Sequence, residues 1–113
     1  MPHILQVTLS SSLQELNLGG NKLTDAHLRS ITHAISINAG LRLILLTLER
    51  NQLTSVEPLV ALFPSQLRQL RRLDLDENKL KSGAIRMLAD ALPAARQLRR
   101  VSVMRQVRLL KGT

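Results

Sequence analysis

Six arginines stand in two triplets of identical internal spacing: Arg68, Arg71 and Arg72, then, one repeat further on, Arg96, Arg99 and Arg100. A guanidinium is a planar fork of N–H donors that pairs bidentately with phosphate or carboxylate. A two-by-three set of them is a basic patch suited to an anionic partner, and Arg105, Arg108 and Lys111 extend the charge toward the end of the chain. Against them stand Glu15, Glu49, Asp74, Asp76 and Glu77, five of the eight acids. These residue types bind; the types that catalyse are poorly placed. The three histidines are His3, His27 and His33, and the last two are six apart. On a helix that spacing sets them on opposite sides, not at metal-ligand spacing, and both are expected at the surface. Ser10, Ser11 and Ser12 have no positioned base near them in sequence, and there is no G-x-S-x-G, P-loop, G-x-G-x-x-G or H-E-x-x-H. The expectation is a non-enzyme with no cofactor, no metal and no small-molecule substrate.

What must position the charged residues is a repeat. Residues 70–80 read L-x-x-L-x-L-x-x-N-x-L, with Leu70, Leu73, Leu75, Asn78 and Leu80. The same template fits Leu13, Leu16, Leu18, Asn21 and Leu23, and again Leu43, Leu46, Leu48, Asn51 and Leu53. A fourth copy begins at Leu98, Val101 and Val103, then decays, with Gln106 in place of the Asn and Arg108 in place of the last Leu. Asn21, Asn51, Asn78 and Gln106 thus mark nearly even steps along the chain. Self-similarity at such a period marks a solenoid. The central L-x-L alternates in and out as a strand does. The Asn side chain can then bond backbone groups that the following turn leaves unpaired, and Asn21, Asn51 and Asn78 are expected to stack as a structural ladder.

On those residues the chain resembles the leucine-rich repeat family, specifically its ribonuclease-inhibitor-like class with long repeats. The resemblance covers about residues 13–106. It implies an α/β solenoid of about three and a half repeats, with parallel strands on a concave face and helices on the convex face. The expected divisions are 13–42, 43–69 and 70–97 for three repeats and 98–113 for a truncated fourth. Residues 1–12, in which Ile4, Val7 and Leu9 fit half a motif, are an extra strand or an incomplete N-terminal segment, with Ser10–Ser12 as the turn that follows.

Helical spacing supports the same divisions. Leu28, Ile31 and Ile35 form one apolar stripe, with Ala34 allowing close approach to the sheet. Thr24–Asp25 supply caps, and Gly40 suits a left-handed C-terminal position. Ile85, Leu88, Ala91 and Leu92 renew that stripe in the third repeat, with Ser82 as the cap and Pro93 just beyond. The middle repeat differs. Thr54 through Glu57 has the form of a capping box, Pro58 suits a first turn, and Pro64 ends a helix expected at roughly 55–63. Phe63, the one aromatic, is expected to fill the space that a longer helix would occupy.

The net charge of +8 is uneven. Residues 1–65 hold four basic groups and four acids; residues 66–113 hold twelve basic groups and four acids, which is the whole excess. With no cysteine there is no disulfide framework or thiolate chemistry, and an intracellular site is expected. The sequence has no apolar run long enough to span a membrane and no secretory-type start.

Alternation names the outward strand positions: Glu15, Asn17 and Gly19; Leu45, Thr47 and Glu49; Arg72, Asp74 and Asp76; Arg100, Ser102 and Met104. From these, Glu15, Asn17, Thr47, Glu49, Arg72, Asp74, Asp76, Arg100 and Ser102 are the expected partner-binding residues. The expected function is that of a non-catalytic protein-binding module or scaffold, a subunit of a larger assembly or a fragment of a longer repeat protein, using this face and the arginine patch. The alternative is a basic structural component of a ribonucleoprotein or ribosome-type assembly that contacts RNA phosphates. Solvation alone also accounts for either charged surface. Residues 1–12 and 104–113 look too short to cap a solenoid, so the isolated chain is expected to be partly unfolded or self-associated.

Overall fold

Each L-x-L becomes a strand whose two leucines point into the core. The computed structural model describes residues 9–106. Within them β1 (Glu15–Asn17), β2 (Leu45–Thr47), β3 (Arg72–Asp74) and β4 (Arg100–Ser102) form one sheet in chain order. All neighbours are parallel, with Leu16, Leu46, Leu73 and Val101 in register. Between strands run α1 (Asp25–Ser36), α2 (Glu57–Val60) and α3 (Ser82–Ala91), the last followed by a 3-10 turn, Leu92–Ala94. This is the solenoid that the resemblance implies, each rung a strand, a turn and a helical return. In the middle rungs Leu43, Leu46, Leu48, Leu53, Leu70, Leu73, Leu75 and Leu80 are all buried.

The Asn ladder forms as expected and carries the turns. Asn51 Oδ1 accepts from the N–H groups of Asn21 (3.0 Å) and Leu23 (2.9 Å), and its amide donates to the carbonyls of Leu18 and Leu48. Asn78 repeats this one rung on: it accepts from Leu53 N–H at 3.0 Å and donates to Leu48 and Leu75 carbonyls. The ladder does not decay at the fourth rung. Gln106 accepts from Leu80 N–H at 3.0 Å and donates to Leu75 and Val103 carbonyls, the same bonds made through one more methylene. Each ladder residue follows a residue in the left-handed region: Gly20 (φ 71°), Arg50 (56°), Glu77 (57°) and Arg105 (54°). The turn therefore needs that conformation in every rung, and glycine supplies it in one.

In α1 the expected stripe is buried, Leu28, Ile31, Ala34 and Ile35 together. Thr24 precedes the helix, and its N–H donates to His27 Nδ1 at 2.9 Å. His27 is thus half-buried and occupies the place that Glu takes in a capping box, rather than lying free on the surface as expected. Asp25 reaches across to the next rung, accepting from the N–H groups of Thr54 (2.9 Å) and Ser55 (3.2 Å) and from the Thr54 hydroxyl. That contact overturns the capping box expected at Thr54 and Glu57. With Thr54 held by Asp25, Val56 takes the cap position of α2 and no side chain caps it.

Other expectations also fail locally. Helix α1 ends at Ser36, with Ile37 at φ −92° and ψ 1°, and neither Ile37 nor Gly40 is left-handed. Lys81, not Ser82, precedes α3. Leu92 is 36 % exposed because the chain leaves the α-helix there and tightens into the 3-10 turn that holds Pro93. Helix α2 spans Glu57–Val60, shorter than expected, and gives way to turns before Pro64 is reached. Phe63 is fully buried and fills the core as expected. The short α2 still leaves an open groove against α3, lined by Val60, Gly83, Met87 and Ala91. Among the described residues no helix is long and apolar enough to cross a membrane. The expected extra strand at Ile4 and Val7, His3, and Arg108 and Lys111 lie outside the described residues; Ser11 and Ser12 form the expected turn.

Candidate binding face

Because the strands are in register, their outward residues form a grid of four rows. At the strand starts, backbone bonds place Gln14, Ile44, Arg71 and Arg99 in one row: Ile44 N–H donates to Gln14 O, Arg71 N–H to Ile44 O and Arg99 N–H to Arg71 O. The next row is Glu15, Leu45, Arg72 and Arg100, and the next Asn17, Thr47, Asp74 and Ser102. Beyond the strands come Gly19, Glu49, Asp76 and Met104, aligned by the continuing ladder of backbone bonds. Neighbouring positions along a row are about 4.8 Å apart. The face is two-banded: arginine at the strand starts of the last two rungs, carboxylate at the strand ends of the middle two.

The acids are less available than their formal charge suggests. Glu15 is exposed. Asp74 accepts from Asp76 N–H at 3.0 Å and faces the Arg72 guanidinium at 4.0 Å. Asp76 leans onto the fourth rung, accepting from the Ser102 hydroxyl (2.5 Å) and Met104 N–H (2.6 Å). Glu49 leans the other way. Its carboxylate lies over Gly19, so close that a Cβ there would collide with both oxygens. The two acids occupy adjacent places in one row, and leaning apart reduces their repulsion. Glu49 Oε1 is buried there with no hydrogen-bond partner among the described residues. Thr47, expected as a partner-binding residue, is only 7 % exposed, and its hydroxyl donates to Asn17 Oδ1 at 2.9 Å. It braces the sheet from below the acids and offers a partner little surface.

All six arginines of the sequence-defined patch are exposed. Arg71 and Arg99 share a row, as do Arg72 and Arg100, so each pair lies side by side across the last two rungs. Arg68 and Arg96 sit in the loops that lead into those strands, and Arg68 donates to Ser65 O at 3.2 Å. Sequence reasoning missed one feature. Arg42 and Arg68 line one cleft of about 180 Å³, with Leu41, Gln66 and Gln69. No local signal reveals it, because its walls come from two loops a rung apart. Ile44 and Leu45, half-buried, continue the arginine rows as an apolar spot, at the positions where the sequence of the middle repeat carries apolar residues in place of arginine. Among the described residues no group of acids and histidines is arranged to hold a metal.

A Leucine Rich Repeat family model matches residues 12–34, which span β1, the first Asn turn and most of α1. No curated protein and no solved structure matches the chain. The match and the four parallel strands alternating with helices support a leucine-rich repeat protein. Leucine-rich repeats are typically non-catalytic and generally mediate protein–protein interaction.

Proposed function

We propose that this chain is a protein-binding module or scaffold subunit that docks a partner on its four-row concave face. The observation that carries the reading is the two-banded grid, in which arginines hold the strand starts of the last two rungs and carboxylates the strand ends of the middle two, with Glu15 at the strand start of the first. Such a pattern fixes the orientation of a partner and raises its rate of encounter more than it raises raw affinity. The long, nearly even steps from Asn21 to Asn51, Asn78 and Gln106 support the ribonuclease-inhibitor-like class within the repeat family. The test places a photo-reactive residue at Glu15 or Ser102 on the sheet, and at Arg29 or Arg86 on the helices. Nuclease-resistant protein adducts from the sheet positions alone are expected. Adducts from the helix positions alone would move the site to the convex side.

A second reading has an observation of its own. The whole +8 excess lies in residues 66–113, and arginines occupy the strand starts of two adjacent rungs. That charge suits a structural component of a ribonucleoprotein in contact with RNA phosphates. Adducts lost on nuclease treatment would favour it, as would binding that falls steeply with salt.

A further inference from the structure

We propose that the arginine rows and the apolar spot beside them take an acidic protein segment, an extended stretch of glutamate and aspartate that carries one apolar side chain; this rests on the protein-binding reading of the concave face. The positive charge is largely uncompensated within the chain. All eight acidic side chains lie among the described residues, yet two ion pairs form there, Arg72–Asp74 at 4.0 Å and Arg105–Glu77 at 3.6 Å. Arg71 lies beside Arg99 and Arg72 beside Arg100 at strand spacing, about 4.8 Å at the backbone. Like charges so placed repel, and an anion laid across the two rungs relieves the repulsion while it forms charge-assisted hydrogen bonds.

Two features favour a peptide over a nucleic acid. Ile44 and Leu45 extend the same rows by one rung and are half-buried, and the rows then end on Gln14 and the exposed Glu15, so the basic track gives way to apolar surface and a carboxylate that a continuing phosphate backbone would leave unmatched. The one Phe, Tyr or Trp side chain, Phe63, is buried, and the described histidines, His27 and His33, lie on α1 and not on the strands, so the track itself offers a base no ring to stack on. The track is also narrow. Asp74 follows Arg72 by two strand residues, about 6.6 Å, so acid flanks the basic rows at a distance that admits one extended chain and repels a broader polyanion. At the rim the cleft lined by Arg42 and Arg68, about 180 Å³, receives a further carboxylate side chain of the same segment.

Fluorescence anisotropy on the purified chain tests this with three labelled probes: a glutamate-rich peptide with one central leucine, the same peptide with serine for leucine, and an oligouridylate of equal charge. The leucine peptide is expected to bind best. The double variant Arg71→Glu/Arg99→Glu should weaken it at least tenfold, while Arg86→Glu on α3 leaves it within twofold; thermal melts of both variants report folding. Oligouridylate binding as tight as the leucine peptide's overturns the assignment in favour of nucleic acid. Failure of all three probes removes the track as a site, as does a variant that folds and binds the leucine peptide normally. If the sheet positions still cross-link a protein in those cases, the concave face stands as a protein site and the acidic partner alone is wrong.

Discussion

The middle rungs and the end rungs carry the same motif and bury it differently. Leu46, Leu48, Leu73 and Leu75 are fully buried, while Leu16, Leu18, Val101 and Val103 at the matching positions are only partly covered. The ladder divides the same way. Asn51 and Asn78 are buried and bond two rungs each. Asn21 is exposed, and its side chain donates to its own rung, at Leu18 and Gly19 carbonyls. A residue's contribution in a stack is therefore set by the number of neighbouring rungs as much as by its type.

The largest expected effect contrasts two leucines. Leu75→Ala should cost about 2–5 kcal/mol in urea unfolding, as for a fully enclosed core leucine, whereas Leu16→Ala should cost less than half as much. Equal losses would mean that the difference in burial has no energetic weight. Next come the ladder residues. Asn78→Ala strips the Leu53 N–H of its partner and removes a donor from two carbonyls, so a loss of about 1–3 kcal/mol is expected. Asn21→Ala should stay below about 1 kcal/mol because water can replace its bonds. Amide exchange at Leu53 should accelerate in the Asn78 variant, and an unchanged rate would count against the ladder. The narrowest contrast concerns the left-handed turn. Gly20→Ala should lose about 1–2 kcal/mol, since a Cβ is disfavoured at φ 71°. Arg50→Gly, at φ 56°, should change stability by under about 1 kcal/mol, relief of strain being set against added freedom in the unfolded chain. A large loss there would show that the Arg50 side chain matters more than its backbone conformation.

The strands, the ladder and the stripe of α1 were legible because each follows a periodicity local to one repeat. Leu73 and Leu75 face inward by alternation, and Leu28, Ile31 and Ile35 by helical spacing. The exposed arginines were legible too, because the repeat step alone brings Arg71 beside Arg99. What escaped depends on contacts between rungs. The capping box at Thr54 looked sound in its own segment, but Asp25, in the rung before, competes for the same groups and wins. Thr47 has the outward phase of a binding residue, yet its neighbour Asn17 takes its hydroxyl. Gln106 looked like the loss of an Asn, whereas the amide is the part that matters and its longer stem still reaches Leu75 and Leu80. Leu92 kept the spacing of the stripe and lost the helix that would have buried it.

The opposed lean of Glu49 and Asp76 makes the rungs non-interchangeable parts. Glu49 can lie down only because the preceding rung offers Gly19, and Asp76 finds its bonds because the following rung offers Ser102 and the Met104 N–H. A tandem duplication of the second rung would set one Glu49 against another with no glycine beneath it. Swapping the second and third rungs would place Asp76 over Gly19 and turn Glu49 toward Ser102, separating both carboxylates from the groups they now meet. Lengthening or shuffling this array therefore requires paired changes at positions about a repeat apart, and the order of its rungs is a constraint on its inheritance as well as on its shape.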